Sequence, residues 1–180
     1  MDSKVLRPLL AVAAALLILL PSCSNKGGTV RRHGKGSVEM RIPMPGNLSQ
    51  TQRRLLSEAE SWMGTPYRYA GQEKGKGTDC SGMVMAVYEK VTGCKLPRNS
   101  AKQAEFCKNL KPRDVAPGDL VFFATGKDPG KVSHVGIMLD NDRFIHASTS
   151  KGVVVSNVSS PYYTRTFMMF GRVPGVSLSR

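Results

Sequence analysis

Three residues carry the side chains for nucleophilic chemistry: Cys80, His134 and His146. Cys80 lies in Thr78-Asp79-Cys80-Ser81-Gly82, where an apolar helical pattern opens abruptly. Its sulfur is therefore expected in the first turn of a helix, with Asp79 as N-cap. Unsatisfied N–H groups and the positive end of the helix dipole favour a thiolate there. A nearby imidazolium would add to that effect and draw the thiol below its free value of about 8.5. Gly82 is read as room for a substrate backbone to approach. A lone cysteine at a helix start is more often a small buried residue, and the histidines are what shift the balance.

Both histidines fall in segments that alternate with period two, 133–139 and 144–147, separated by the turn signal Asp140-Asn141-Asp142. A loop centred on Asp140 sets His134 directly opposite His146, whereas a two-residue turn at Asn141-Asp142 puts them on opposite faces. A catalytic reading requires one shared face, with Cys80 presented toward His134 and His146 on the other ring nitrogen, fixing the tautomer. One cysteine and two histidines also suit a metal, but structural zinc takes four ligands and no further cysteine or carboxylate has suitable spacing. No metal and no cofactor is expected.

The elements that must position these groups are legible around them. Ser49 to Gln52 has capping-box spacing, and Leu55, Leu56, Ala59, Trp62 and Met63 follow at helical intervals until Gly64 and Pro66. A second helix is predicted over 80–91, burying Val84, Val87, Tyr88 and Val91, with Gly93 as stop. A third begins at Ser100, again with capping-box spacing to Gln103. After Pro117-Gly118 the period changes to two, and strands are predicted at 120–123, 134–139, 143–147, 153–156 and 167–173. Helices first and antiparallel strands after them imply an α+β fold, with helices packed on a C-terminal sheet.

The chain has 180 residues, one domain's worth, with 26 Lys and Arg against 13 Asp and Glu and a net charge of +13. A composition 41% hydrophobic and 22% charged excludes wholesale disorder, and four cysteines are too few for a disulfide scaffold. Cys94 and Cys107 either pair in an oxidising compartment or remain buried thiols. The excess charge suits an acidic partner, and the N-terminus narrows which. Lys4 and Arg7 precede an apolar run over 9–20, followed by Pro21, Ser22 and Cys23. That run is too short to span ~30 Å of hydrocarbon. The stretch Leu20-Pro21-Ser22-Cys23 resembles a lipobox, so residues 1–22 are expected to be a lipoprotein signal peptide, with Cys23 lipidated. Ser24 after it resembles outer-membrane sorting in a Gram-negative envelope, facing the periplasm. Residues 23–47, rich in Gly, Lys and Arg, are expected to be a flexible tether holding the solvated His33, and 48–180 the catalytic domain. Nucleic acid is excluded as a partner on these grounds.

Six blocks then occur in order: Thr65-Pro66-Tyr67-Arg68-Tyr69-Ala70-Gly71, Thr78-Asp79-Cys80-Ser81-Gly82, Leu96-Pro97-Arg98, Pro117-Gly118-Asp119-Leu120, Ser133-His134-Val135-Gly136-Ile137 and Ile145-His146-Ala147. The ordered set resembles the NlpC-type (NlpC/p60) cysteine peptidases that cut the peptides of bacterial peptidoglycan, over about residues 50–172. The resemblance implies a papain-like fold, Cys80 as nucleophile, His134 as general base and His146 as the group orienting it. It implies Tyr69 beside the thiol as an oxyanion donor, and Asp79 and Ser81 holding the substrate's N-terminal side. It further implies cleavage of a stem peptide, at the bond between γ-D-glutamate and diaminopimelate or lysine. Two alternatives stand beside it: an N-acetylmuramoyl-L-alanine amidase, and a lipid-anchored cell-wall-binding protein without catalysis. Many family members carry SH3-like domains that help close the site, and this length leaves no room for one. Arg68, Lys74, Lys76 and Arg98 are expected to attract the carboxylates of stem peptides.

Overall fold

The computed structural model of the chain describes residues 42–178. The expected signal segment, Cys23 and His33 lie outside the described residues.

Helix α1 (Gln50–Glu60) starts where the capping box places it: the Gln52 N–H donates to Ser49 Oγ at 3.2 Å, and the Ser49 N–H to Gln52 Oε1 at 2.8 Å. It buries Leu55, Leu56 and Ala59, and Trp62 is buried in the turn that follows. A short hairpin, β1 (Gln72–Glu73) and β2 (Gly77–Thr78), leads into α2 (Cys80–Thr92). The Asp79 side chain caps α2 by accepting from the Gly82 N–H, and Gly93 closes it at φ 74°, a left-handed conformation that glycine adopts without a Cβ penalty. Helix α3 (Ser100–Phe106) begins at Ser100 as expected, but the expected Ser100–Gln103 capping box is not what caps it. Asn99 is its N-cap, accepting from the Lys102 N–H. Gln103 instead spends its amide on the carbonyls of Ser81 and Pro97, tying α3 to the start of α2.

Strands β3 (Lys108–Leu110), β4 (Leu120–Phe123), β5 (His134–Met138), β6 (Arg143–Ser148), β7 (Gly152–Asn157) and β8 (Phe167–Arg172) form one antiparallel sheet in the order β3-β8-β4-β5-β6-β7. Leu120, Phe122, Val135, Ile137, Ile145 and Val153 join the helices in the main core. The opposite face carries a smaller aromatic core of Val121, Phe123, Met138, Phe144 and Phe170, onto which Tyr163 of α4 (Pro161–Thr166) packs. Helices thus cover both faces, which is why Leu120–Phe123 is buried without a break. Helix α4 has Pro161 in its first turn and no buried residue, so no apolar periodicity announces it.

The domain also begins earlier than residue 48. Ile42 and Met44 pack against the main core, and Arg143 Nη2 donates to the Pro43 carbonyl at 2.7 Å. Residues 42–44, expected to belong to the tether, are part of the folded domain. In the β5–β6 hairpin, Ile137 pairs with Ile145 and Met138 with Phe144. The loop is therefore centred on Asn141 and not on Asp140. Asp140 caps it, accepting from the N–H groups of Asp142 and Arg143 at 2.9 and 2.7 Å.

Candidate active site

The loop ahead of α2 folds back over the helix start. Arg68 N–H donates to the Thr78 carbonyl, Thr78 N–H to Pro66, and Asp79 N–H to Gly71. Ala70 sits at φ 57°, a left-handed turn that brings the Gly71 carbonyl onto α2. A Cβ at Gly82 would lie well inside the 3.0 Å that real Cβ atoms keep from the Gly71 carbonyl oxygen. Glycine is needed at 82 for this loop, and the space read from the sequence as room for substrate is filled by the chain's own backbone.

Asp79 and Ser81 are buried, and their polar atoms are engaged within the chain. Asp79 Oδ1 accepts from Gly82 N–H at 2.7 Å, Ser81 Oγ at 3.1 Å and Arg98 Nη1 at 3.0 Å; Oδ2 accepts from Ala70 N–H at 3.0 Å and Arg98 Nη2 at 2.8 Å. Burial opposes its ionisation, but the bonds from Arg98 and Gly82 hold Asp79 below the usual carboxylate range. Arg98 also reaches Ser81 Oγ and the Gly71 carbonyl. The guanidinium is the member of this cluster that retains exposure.

His134 and His146 are both buried and share a face, with His134 Nε2 and His146 Nδ1 2.8 Å apart and the rings edge-on. They are not directly opposite. With the loop centred on Asn141, the register carries His146 across from Gly136, and the bond to His134 runs diagonally. A Cβ at Gly136 would come 3.2 Å from the His146 Cβ and closer still to the Phe144 ring, so glycine there lets the two imidazoles meet. Since Nε2 of His134 is committed to His146, Nδ1 is its remaining nitrogen. His146 Nε2 in turn faces Ser156 Oγ at 2.9 Å and Tyr163 Oη at 3.2 Å. The His134 ring lies at the start of β5, where the Val135 N–H is among the groups that meet the Cys80 sulfur.

Electrostatically the site differs from the sequence-based expectation of a lowered thiol. Burial pushes Cys80 up to about 11, against the pull of the backbone N–H groups of Val135, Ser81 and Cys80 itself. Burial lowers His134 to about 4, and burial with the neighbouring His134 charge lowers His146 to about 3. Removal from water penalises both charged forms, so the resting groups are a neutral thiol and neutral imidazoles. The tyrosines also separate. Tyr69 is 85% exposed. Tyr67 is half-buried against the core that includes Cys80, and burial and then the Cys80 and Asp79 charges raise its phenol. Tyr67, Ser156 and Tyr163 escaped the reading of the sequence. Tyr67 was visible two positions upstream in the same block, and Ser156 by alternation along β7, but nothing local marks Tyr163. Among the described residues no group of three or more His, Cys, Asp or Glu is arranged to hold a metal ion.

The model of the NlpC/P60 family matches residues 64–172, which contain Cys80, His134 and His146. The chain belongs to the NlpC/P60 family. A probable endopeptidase of Haemophilus influenzae is 35% identical over 162 residues, covering 90% of this chain and 95% of that protein. The murein DD-endopeptidase/murein LD-carboxypeptidase of Escherichia coli K12 is 33% identical, with 94% and 93% covered. Among solved structures, an NLP/P60-family lipoprotein-like protein of Staphylococcus aureus matches with a TM-score of 0.63 and 30% identity, over 74% of this chain. This chain spans only 45% of that structure, while it spans nearly the full length of the two relatives above. The NlpC/P60 match and the endopeptidase relatives make the chain a cysteine peptidase with an α+β, papain-like fold.

Proposed function

We propose that this NlpC/P60 protein hydrolyses amide bonds in the stem peptides of bacterial peptidoglycan, with Cys80 as nucleophile, His134 as general base and His146 orienting that base. The observation that carries the reading is the buried His134–His146 bond, which leaves His134 Nδ1 as the nitrogen available to a thiol. Because burial keeps both partners neutral, proton transfer accompanies attack. The Cys80 sulfur bonds to the carbonyl carbon while its proton passes to His134. The tetrahedral oxyanion is received by the Cys80 N–H, unsatisfied in the first helical turn, and by the Tyr67 hydroxyl. Tyr69, the donor the resemblance implies, is too exposed for that task. His134 then protonates the leaving amine and a thioester remains. Water adds to it, gives its proton to His134, and the returning proton restores the thiol as the acid departs. Asp79 and Ser81 act on the substrate's N-terminal side through Arg98, the cluster's exposed member.

The bond is assigned to γ-D-glutamyl–diaminopimelate (or lysine) by the resemblance. A second reading, the D,D-cross-link between stems, is favoured by the name of the Escherichia coli relative and the near-complete overlap with it. Digestion of purified sacculi, with mass spectrometry of the new termini, tests both. A new γ-carboxylate on D-glutamate, with the α-amine of the third residue freed, supports the first bond; a new D-alanine carboxylate, with the side-chain amine of the third residue freed, supports the second. A new L-alanine amine would mean the amidase. Equal products from wild type and Cys80→Ala, or binding without products, would overturn the catalytic assignment. Lipidation at Cys23 and periplasm-facing outer-membrane placement complete the proposal. The intact mass of the mature protein checks the first, and membrane fractionation of wild type against Cys23→Ala the second.

A further inference from the structure

The catalytic reading requires more of His134 than a position beside the thiol. Its Nδ1 must offer a lone pair, so in the neutral ring the proton must sit on Nε2. Nε2–H then donates to His146 Nδ1, across the 2.8 Å between them. His146, neutral in its turn, must carry its proton on Nε2, and that N–H needs an acceptor in a place where His146 is 1% exposed. The chain supplies two: Ser156 Oγ at 2.9 Å and Tyr163 Oη at 3.2 Å. A hydroxyl can also donate, and a hydroxyl donating into His146 would reverse every bond in the row. His134 would then hold its proton on Nδ1 and have no lone pair there to take a thiol proton.

Both oxygens converge on the same nitrogen, and each has a lone pair for the single N–H that His146 holds there. Accepting it, they keep the row in the direction the catalytic reading needs. Tyr163 is held over both imidazoles, 5.4 Å from the His146 ring centroid and 6.5 Å, nearly parallel, from that of His134. Phe123 and Phe144, each 4.9 Å away, pin it there.

We infer that Ser156 and Tyr163 are positioning residues which, acting through His146, hold His134 in the tautomer that can accept the Cys80 proton. The row reads His134 Nε2–H to His146 Nδ1, and His146 Nε2–H to the hydroxyl oxygens of Ser156 and Tyr163. This inference rests on the role of His134 proposed above. It gives the small second core and α4 a function: they carry the outer end of a proton-ordered row whose inner end is the base proposed for Cys80.

Nitrogen-15 NMR of the imidazoles in the whole protein reads the tautomers without turnover. Wild type is expected to show protons on Nε2 of both rings. The double variant Ser156→Ala/Tyr163→Phe, which keeps the aromatic ring, is expected to lose that order. Its kcat on soluble muropeptides should fall about tenfold or more at unchanged KM. Ser156→Thr, which restores the hydroxyl, should recover most of the rate. A wild-type His134 protonated at Nδ1, or a double variant with unchanged tautomers and kcat within about threefold, would overturn the inference. If the double variant does not fold, the wild-type tautomers, Tyr163→Phe and Ser156→Thr decide it. Ordered tautomers in a wild type that cuts no muropeptide would sink the proposed activity and leave the proton order standing.

Discussion

Alanine at position 82 would put a methyl group where the Gly71 carbonyl oxygen already lies. The neighbouring contacts leave no escape, with Asp79 Oδ1 at 3.1 Å and Gln72 Cβ at 3.3 Å from the same point. The obstruction is backbone, so no flexible side chain can yield. To make room, the loop must lift from α2, and the Gly71 carbonyl then leaves the Asp79 N–H at 3.1 Å and Arg98 Nη2 and Thr78 Oγ1 at 3.4 Å. Overpacking of this kind costs about 1–3 kcal/mol. Each weakened hydrogen bond adds about 0.5–1.5 kcal/mol. Alanine returns about 0.4–1 kcal/mol through the unfolded state. The net loss is about 1.5–7 kcal/mol, a large share of the roughly 5–15 kcal/mol of a typical domain. At about 3 °C per kcal/mol for this size, Tm should drop by about 5–20 °C. Denaturant and thermal unfolding measure it, with Gly46→Ala as control, since nothing lies within 4 Å of a Cβ there. Cleavage should fall as well, because a displacement of about 1 Å at the nucleophile costs on the order of 10²-fold. A Gly82→Ala protein within about 1 kcal/mol of wild type would refute the close-approach argument. Were it stable yet inactive, the space would belong to substrate after all.

The two buried histidines make stability depend on pH. Their folded values of about 4 and 3 lie below the unfolded value of about 6.5, so the unfolded chain binds more protons in between. Stability is expected to be complete above about pH 6.5 and to fall by about 2–4 kcal/mol between pH 7 and 5. Urea unfolding at both values checks this, and a flat profile in wild type would contradict the burial of neutral rings. Asp119, fully buried, accepts from Arg172 through both oxygens and from the Ala116 N–H. Asp119→Ala should cost about 3 kcal/mol in the same assay, and a loss below about 1 would mean the pair is dispensable. Tyr67→Phe should lower kcat about 10²-fold while Tyr69→Phe stays within about threefold, and the reverse order would return the oxyanion role to Tyr69.

Local chemistry determined much of this protein. The capping box at Ser49, the Asp79 cap, the stop at Gly93 and the alternation around both histidines act within a few residues, so the sequence shows them directly. Cys80 at a helix start and two histidines on neighbouring strands followed from those signals. Tertiary structure decided what depends on partners distant in the chain. The hairpin loop centres on Asn141 because the Asp140 side chain closes it, shifting the histidines from opposed to diagonal and making Gly136 part of the site. Helix α4 lacks apolar periodicity and is placed by Tyr163 entering an aromatic cluster assembled from β4 and β6. The charge state of the site shows the difference most clearly. Helix dipole and a nearby imidazolium both argued for a lowered thiol, yet a pKa reflects the whole solvent-excluded surroundings. Burial among β5, β6 and the loop over α2 raises Cys80 and lowers both imidazoles. Desolvation is a property of packing, and packing exists only once the chain has folded.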